Sequence, residues 1–294
     1  MKKQADKIRR IGLIGNREKA DCAVIVRKAA RLVERAGRKV FCDAQTARLA
    51  GLKGGIRPDI KSLAGDVDLL LIFGGDGTIL RTAREIAGIH TPMLGVNIGG
   101  LGFLTAVPSD KLAAALKLVW RGEFQYESRA LLEVTGRCRG RPVRETALND
   151  IVVSRGAVSR LIALDVSVDG EPITRYRCDG LIVSSPTGST AYSLAAGGPI
   201  VLPTAEVFCL TPISPHSLSN RSIILPLSSG IRIKAINAPP ATLMSADGQA
   251  VAELDAGDVV TIRRSRRSVR LIQLAQGSFL GALRRKLHWR GTYL

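Results

Sequence analysis

The sequence predicts a two-domain protein, with a Rossmann-like α/β domain followed by a β-sandwich-like domain. Over the first hundred residues, short and almost wholly apolar runs alternate with helix-period segments, which is the pattern of a parallel sheet covered on both faces. After about residue 125 the apolar residues recur at every second position, which is typical of antiparallel strands. The length of 294 residues also favours two domains over one.

The first half contains four predicted strands and two predicted helices. The strands are IGLIG, KVFCD, VDLLLIF and PMLGVN, over residues 11–15, 39–43, 67–73 and 92–97. A helix is predicted over 18–36 from apolar residues at helical spacing. It is expected to end before Gly37, because glycine commonly follows the last residue of a helix. Its buried face is expected to hold Val24, Ala29, Leu32 and Val33. A second helix is predicted over TILRTAREIAG, residues 78–88.

The second half shows the period-two pattern of β-strands. In LIALDVSVDGEPI, apolar residues alternate with polar or small ones, and the Asp169–Gly170 pair lies where a tight hairpin turn forms. Similar short strands recur in LLEVTGR, DIVVSR, GLIVSS, GIRIKAI and DVVTIRR. The tail SFLGALRRKLHW is predicted to be helical again. We therefore expect an α/β domain over 1–125, a β-rich domain over 126–270 and a C-terminal segment over 271–294.

The chain is strongly basic, with 43 lysines and arginines against 25 acidic residues and a formal charge of +18. Such a surface attracts nucleic acid, acidic lipid or phosphate-bearing metabolites, although it can equally serve solubility alone. The densest basic run is formed by Arg263, Arg264, Arg266 and Arg267. No helix-turn-helix, zinc-finger or RNP-like pattern accompanies it, and aromatic residues make up only 4%. We therefore expect no nucleic-acid partner.

The cysteines and the N-terminal residues indicate a cytoplasmic protein. The five cysteines are an odd number, lie far apart and form no C-x-x-C pair, which fits reduced thiols rather than disulfides or a zinc site. The opening MKKQADKIRR lacks the apolar core of a signal peptide, and no apolar run approaches the ~20 residues of a membrane span. Without such a span we expect no membrane partner. Because the chain has only three histidines, we expect no protein-bound metal site.

The stretch LLLIFGGDGTILR, residues 69–81, carries the clearest sign of chemistry. A buried parallel strand ends in it, and ligands bind at such carboxyl ends in open α/β sheets. Gly74, Gly75 and Thr78 are predicted to form a phosphate cradle, because glycine backbone and a helix N-terminus both suit an anion. Asp76 cannot bind an anion directly. It either accepts a proton from an attacking hydroxyl or helps to hold magnesium.

A plainer interpretation of the same turn is structural. In this interpretation GGDG is only a tight strand-to-helix turn, and Asp76 caps the helix predicted to begin at Thr78. The common phosphate-loop patterns G-x-x-x-x-G-K-[ST] and G-x-G-x-x-G are absent from the sequence. Phosphate binding here would therefore need a different cradle.

Three further segments are equally rich in glycine and small polar residues, namely GVNIGGLGFLT, LNDIVVSR and DGLIVSSPTGSTAYSLAAGGPIV, which begin at residues 95, 148 and 179. Together with GGDGT, SPHSLSNR and DGQ at 247–249, they closely resemble the NAD kinase family, which phosphorylates the 2′-hydroxyl of the adenosine ribose of NAD. The resemblance runs from about residue 67 to the tail. It implies the same two-domain fold, with the C-terminal tail packing back on the first domain.

The resemblance also implies a role for each matching residue. Asp76 would take the proton of the 2′-hydroxyl, Gly77 would lie against the substrate ribose, and Arg81 would help to position phosphate. The other implied NAD contacts are Asn149, Asp150, Arg160, Arg177, Asp179, Thr190, Ala191, Tyr192, Ser193, Leu194, Ala195 and Gln249. His216 could approach the site or serve a structural role.

The family also implies cofactors and partners. Magnesium is expected to arrive with the phosphoryl donor rather than in a protein cage, since phosphoryl transfer depends on charge neutralisation. ATP and polyphosphate both remain open as donors, as do the preference for NAD over NADH and feedback regulation. Because several substrate contacts in the family cross a subunit boundary, a homotetramer or homodimer is implied.

Other functions stay open at this point. Diacylglycerol- and sphingosine-type lipid kinases share the GGDG turn and a β-rich second domain, but they lack the TAYSLAAGGP segment, and a phosphofructokinase is disfavoured for the same reason. A catalytically silent dinucleotide sensor would need Asp76 to be expendable. A nucleic-acid-binding protein would show steeply salt-dependent binding to generic DNA.

Overall fold

The computed structural model describes residues 7–100, 102–156, 160–217, 219–274 and 278–289. Contacts divide the chain into two compact units. The first unit comprises the described residues up to Ser128 and from Val269 onward, and the second comprises Arg129–Ser268. The first is α/β and the second is almost entirely β. The predicted fold class is therefore confirmed, including the return of the C-terminal segment to the first unit.

Strands and helices alternate up to Arg121. The elements in chain order are β1 (Arg10–Gly15), α1 (Cys22–Arg35), β2 (Lys39–Asp43), α2 (Ala44–Ala50), β3 (Ile56–Arg57), α3 (Ile60–Asp66), β4 (Leu69–Gly74), α4 (Asp76–Glu85), β5 (Met93–Asn97), β6 (Val107–Pro108) and α5 (Leu112–Arg121).

Strands dominate the rest of the chain. They are β7 (Phe124–Cys138), β8 (Arg141–Ala147), β9 (Asp150–Ser154), β10 (Ile162–Val168), β11 (Glu171–Cys178), β12 (Gly180–Ser184), β13 (Val207–Ile213), β14 (Ile223–Pro226), β15 (Ile231–Asn237), β16 (Leu243–Ala246), β17 (Gln249–Glu253) and β18 (Val259–Leu274). The short helix α6 (Tyr192–Ala195) follows β12, and α7 (Phe279–Lys286) follows β18.

The sheet of the first unit has the strand order β3-β2-β1-β4-β5, and the pairs along it are parallel. Strands β2 and β3 are added in turn on one side of β1, and the chain then crosses over to add β4 and β5 on the other side. The carboxyl ends of β1 and β4 therefore flank a topological switch point, where open α/β sheets bind ligands. The end of β18 joins this sheet, with Leu271 parallel to Met93.

Two helix predictions need correction. The helix predicted over 18–36 is observed only over Cys22–Arg35, and Val24 is 60% exposed rather than buried. The buried stripe of α1 is Cys22, Val26, Ala29, Ala30 and Val33. The helix after β4 begins at Asp76, two residues before the predicted Thr78. The periodicity located both helices but could not fix the turn that starts them.

The second unit is a β-sandwich. One antiparallel sheet has the order β14-β13-β12-β9-β16-β17, and the other places β11, β10, β15 and the start of β18 side by side. Their inner faces share one apolar core, to which Val153 and Val183 contribute from one sheet and Leu164 and Ile233 from the other. The hairpin predicted at Asp169–Gly170 is confirmed, since both residues have the positive φ of a type I′ turn.

Within the described part of the chain, no helix is both long and apolar enough to cross a membrane.

Candidate active site

In the first unit, predicted site residues lie where β1, β4 and β5 end side by side. Gly15 is in register with Phe73, and Gly74 with Asn97. The backbone amide of Asn16 donates to the Phe73 carbonyl at 2.9 Å. The loops that follow the three strands therefore leave the sheet at one edge, and Asp76 follows the central strand of the three.

The carboxylate of Asp76 is held by the loop after β5. Its Oδ2 atom accepts the backbone N–H of Phe103 at 2.7 Å. Its Oδ1 atom accepts the N–H groups of Leu104 at 3.0 Å and Thr105 at 3.2 Å. Hydrogen bonds from backbone amides to a carboxylate are charge-assisted, so they fix its orientation strongly.

The capping interpretation of Asp76 is wrong. The N-cap of α4 is Gly75, and no side chain caps this helix. Asp76 is the first helical residue, and its carboxylate binds the loop 103–105 instead.

Gly102 is the residue that lets this loop approach the carboxylate. A Cβ atom at Gly102 would lie 1.9 Å from Asp76 Oδ1 and 2.4 Å from Thr105 Oγ1. Both distances are far below van der Waals contact, so only glycine fits here without moving Asp76. The neighbouring Gly100 has open space at the same position, within the part of the chain described.

The predicted phosphate cradle divides into a packed part and an open part. A Cβ at Gly74 would lie 2.3 Å from Thr78 Oγ1, and that hydroxyl already accepts a hydrogen bond from Asn16 Nδ2 at 3.1 Å. Thr78 is buried, whereas added Cβ atoms at Gly75 and Gly77 would meet no described atom. Backbone approach by a ligand is therefore possible at Gly75 and Gly77.

Arg81 lies one helical turn beyond Gly77. Its Nε atom is 3.7 Å from Glu85 Oε1 and is buried with no hydrogen-bond partner among the described residues. An unpaired donor of this kind is costly unless another group satisfies it. Burial raises the pKa of Glu85, and the Arg81 charge opposes that shift.

A separate cluster of predicted site residues lies in the second unit, around the turn between β8 and β9. Asp247 holds this turn, because its Oδ1 accepts the N–H of Asn149 at 2.7 Å and its Oδ2 that of Leu148 at 3.0 Å. A longer bond of 3.3 Å runs from the N–H of Asp150 to Oδ1. Asp247 and Gly248 both have positive φ and form the tight hairpin between β16 and β17.

The carboxylate of Asp150 is 5% exposed. Burial, with a smaller contribution from the charge of Asp247, raises the pKa of Asp150 to about 7. A buried carboxyl group with a pKa near neutrality is a candidate functional-site residue.

The segment after β12 packs directly on Asn149. A Cβ at Gly188 would lie 2.2 Å from the Asn149 carbonyl oxygen, which accepts the N–H of Ser185 at 2.8 Å. Of the predicted contacts Thr190–Ala195, Tyr192 is 47% exposed, whereas Ser193 is fully buried and its hydroxyl is bonded to Thr211 at 3.1 Å. The side chain of Ser193 is thus occupied inside the fold.

Asp179 lies at the other end of β12. In the pairing of β9 with β12, Asp150 is opposite Ser184 and Ser154 is opposite Gly180. Four residues of strand separate the two ends, or roughly 14 Å. The structure therefore does not bring Asp179 together with Asp150 in one chain. At its own end, Asp179 accepts a 2.6 Å hydrogen bond from Arg155 Nε.

The remaining predicted contacts are on the surface. Arg160, Arg177, His216 and Gln249 are all exposed. The backbone N–H of His216 donates to the Arg177 carbonyl at 2.8 Å, which places both near the Asp179 end of the sheet. Gln249 begins β17, directly after the Asp247–Gly248 turn.

The sequence analysis did not identify four residues that contact or orient the predicted site residues. They are Asn16, Gly102, Arg155 and Asp247. Asp247 and Gly102 belong to segments that resemble the family, but their spacing in the sequence does not reveal that they contact the Asn149–Asp150 turn or Asp76. Among the described residues, no group of three or more His, Cys, Asp or Glu side chains could hold a metal ion.

Sequence families match both halves of the chain. The ATP-NAD kinase N-terminal domain matches residues 11–124, and the ATP-NAD kinase C-terminal domain matches residues 148–274. The NAD kinase of Syntrophotalea carbinolica is 39% identical over 96% of this chain and 99% of its own length. The NAD kinase of Moorella thermoacetica is 40% identical over 97% of this chain and 91% of its own length.

Solved structures give the same match. The chain is similar to yeast NADH kinase in complex with NADH, with a TM-score of 0.86 and 28% identity over 98% of this chain and 90% of that one. It is also similar to an NAD kinase from Archaeoglobus fulgidus in complex with ATP, with a TM-score of 0.77 and 25% identity over 96% of this chain and 100% of that one.

Proposed function

The chain belongs to the NAD kinase family and phosphorylates NAD to give NADP, and from this premise we propose that Asp76 is the proton acceptor of the reaction. The 2′-hydroxyl oxygen of the adenosine ribose attacks the terminal phosphorus of the donor, and the hydroxyl proton passes to the Asp76 carboxylate. The bond from that phosphorus to its bridging oxygen breaks, and the shortened phosphate chain leaves, as ADP when the donor is ATP. The observation that carries this proposal is the set of backbone N–H bonds that orients Asp76 at the switch point of the sheet.

The oxygen that takes the proton is Oδ2. A carboxylate oxygen has two lone pairs. Oδ1 accepts the amides of Leu104 and Thr105, whereas Oδ2 accepts only that of Phe103 among the described residues. One lone pair of Oδ2 is therefore free for the hydroxyl of the substrate. Gly77, which has open space beside it, lies against the ribose, and Arg81 positions phosphate.

NAD is bound by residues of the second unit. The buried carboxyl group of Asp150 hydrogen-bonds to ligand hydroxyls, since it accepts no hydrogen bond from any residue that the structure describes. Asn149 precedes Asp150 on the turn that Asp247 holds. The exposed face of Tyr192 offers an aromatic surface to a base. The further proposed contacts are Arg160, Arg177, Asp179, Thr190, Ala191, Ser193, Leu194, Ala195 and Gln249, with Ser193 acting through its backbone.

ATP is the phosphoryl donor, and polyphosphate is a second candidate that the basic surface suits. The divalent cation is magnesium. Magnesium usually binds through one or two carboxylates together with substrate phosphates and water. In this mode its ligands come mainly from phosphate oxygens of the donor and from water. When bound, the ion neutralises charge on the transferred phosphoryl group.

The enzyme works as a homo-oligomer, a tetramer or dimer. The separation of Asp179 from Asp150 along β12 supports this, because Asp179 of the partner subunit would then complete the site that contains Asp150. The test mixes an Asp150→Asn variant with an Asp179→Asn variant under conditions that exchange subunits. Recovery of activity in the mixture supports a shared site, and activity no higher than the average of the two variants contradicts it.

The reaction takes place in the cytoplasm. All five cysteines are free and buried, and burial raises the pKa of Cys42, Cys138, Cys178 and Cys209 to about 11 in each case. Reduced, unreactive thiols of this kind suit a reducing compartment.

The proposal for Asp76 is tested in a coupled assay. Protein, NAD, magnesium and either ATP or polyphosphate are mixed, and NADP is detected with an NADP-specific dehydrogenase. Asp76→Asn is expected to keep NAD binding and to lower turnover by at least ~10². Asp110→Asn, which removes an exposed acid from the same unit, serves as the control. A loss of less than tenfold at Asp76 would contradict the role of proton acceptor.

A further inference from the structure

An arginine-lined groove lies in the second unit, on strands other than those that carry Asn149, Asp150 and Asp179. Its volume is about 450 Å³, within the range of small-molecule sites. Strands β7, β8 and β18 form it, and it is lined by Glu133, Thr135, Arg144, Thr261, Arg263, Arg264, Ser265, Arg266 and Arg267. We call it the arginine groove.

The backbone of β18 places several of its arginine side chains in the arginine groove. In a regular strand, neighbouring side chains point to opposite faces. At Ser265 the pattern is interrupted, because Ser265 is buried and its hydroxyl accepts the N–H of Arg267 at 3.2 Å. Gly230 makes room for Arg263, since a Cβ there would lie 2.9 Å from its Nε atom. Residues on both sides of the interruption therefore line the same groove.

The charge of the arginine groove is only partly balanced. Five arginines face one glutamate in the lining. Arg144 is paired with Glu133 at 2.8 Å, and Arg264 is paired with Glu206. Arg263, Arg266 and Arg267 form no ion pair with any of the residues that the structure describes. Three guanidinium groups gathered without counter-charges repel one another, and a bound polyanion would relieve that repulsion.

The lining favours phosphate groups over nucleic-acid bases. Guanidinium groups bind phosphate through paired N–H donors, and Thr135, Thr261 and Ser265 add hydroxyl groups. The lining contains no aromatic side chain for stacking and no Asn or Gln for reading base edges. Single-stranded nucleic acid usually requires such stacking platforms.

We propose that the arginine groove is a binding site for linear phosphate chains, such as free polyphosphate or the triphosphate of a nucleotide. The site goes beyond the phosphoryl transfer proposed above, because it would bind these anions without Asp76. Binding to the groove is measured as the Kd of polyphosphate and not as enzyme activity. A failure to detect binding in the groove would therefore not contradict the proposed NADP formation.

The test compares two variants of the full chain that lose the same charge. The groove variant carries Arg263→Gln, Arg266→Gln and Arg267→Gln. The control variant carries Lys28→Gln, Arg31→Gln and Arg35→Gln, all on the exposed face of α1. Calorimetry measures the Kd of inorganic polyphosphate, and thermal unfolding and gel filtration check both variants. The groove variant is expected to raise the Kd at least tenfold, and the control by less than threefold.

A third variant and a competition complete the design. Arg263→Lys, Arg266→Lys and Arg267→Lys keep the charge but lose the paired donors, so an intermediate rise in Kd is expected. Displacement of polyphosphate by ATP in the natural chain but not in the groove variant identifies nucleotide triphosphates as ligands of the groove, and no displacement in either protein identifies polyphosphate; both support the site.

Four results would overturn it. They are an equal loss in the groove and control variants, no loss in the groove variant, equally tight groove-dependent binding of a thymidine oligonucleotide, and a changed oligomeric state of the groove variant alone. The last would make the groove an interface between copies of the chain.

Discussion

Asp247 Oδ1 accepts the backbone N–H of Asn149 at 2.7 Å and thereby fixes a residue 98 positions earlier in the chain. Asp247→Asn keeps the acceptor Oδ1 and tolerates the positive φ of 48°. It replaces the Oδ2 acceptor of the Leu148 amide by an NH₂ group, so a buried donor loses its partner. We expect the free energy of unfolding to fall by about 1–3 kcal/mol, and the KM for NAD to rise.

Asp169→Asn is the matched control. Asp169 also begins an Asp–Gly turn with positive φ, but among the described residues its carboxylate accepts only the Gly230 amide, through Oδ1. For Asp169→Asn, urea unfolding should show only a small change in the free energy of unfolding. Steady-state kinetics should show no change in the KM for NAD. Equal effects at both positions would mean that the turn, and not the anchoring of Asn149, matters.

Gly102→Ala should disable catalysis without removing the catalytic carboxylate. The added methyl group would overlap Asp76 Oδ1, so the carboxylate must move by an ångström or more. A displacement of that size costs about 10² in turnover. The measurement is kcat in the coupled assay, with NAD binding followed separately. Gly100→Ala, two residues earlier with open space beside it, should retain kcat within about threefold; equal losses would contradict the argument.

The stability of the protein should depend on pH through Asp150. Its pKa is raised to about 7 in the fold, against about 3.9 in the unfolded chain. Between pH 4 and pH 7, Asp150 is therefore protonated in the folded state and ionised in the unfolded state. The contribution of Asp150 to the free energy of unfolding decreases as the pH rises through this range.

Asp150→Asn removes this titration. Between pH 5 and pH 8 the stability of the variant relative to the natural chain should rise by about 1–3 kcal/mol. Urea unfolding of both proteins at several pH values checks this, because the other groups titrate alike and cancel in the difference. Parallel pH profiles for the two proteins would show that Asp150 ionises normally.

Gly188→Ala should destabilise the second unit. Its methyl group would lie 2.2 Å from the Asn149 carbonyl oxygen, and a backbone atom cannot rotate away. We expect a loss of about 1–3 kcal/mol and weaker NAD binding. Gly65→Ala, inside α3 with no described atom nearby, should instead stabilise by about 0.5–1 kcal/mol. Thermal unfolding distinguishes the two directions, and similar shifts at both sites would contradict the packing argument.

The local elements and the type of fold follow from the amino-acid sequence alone. Period-two and helical patterns located the strands, the hairpin at Asp169–Gly170 and the helix after GGDGT, because these depend on contacts between near neighbours. The exposure of Val24 and the start of α4 at Asp76 were not predicted. They depend on how each helix is oriented on the sheet, which no single segment encodes.

The surroundings of the predicted site residues depend on the tertiary structure. Asp76 is bound by amides 27 to 29 residues away, Asn149 by an acid 98 residues away, and Asp150 and Asp179 are separated by the length of β12. Local periodicity carries no information about such contacts, because strand order and register bring together segments that are distant in the chain. The residue types of the site could therefore be predicted, but the partners that orient them could not.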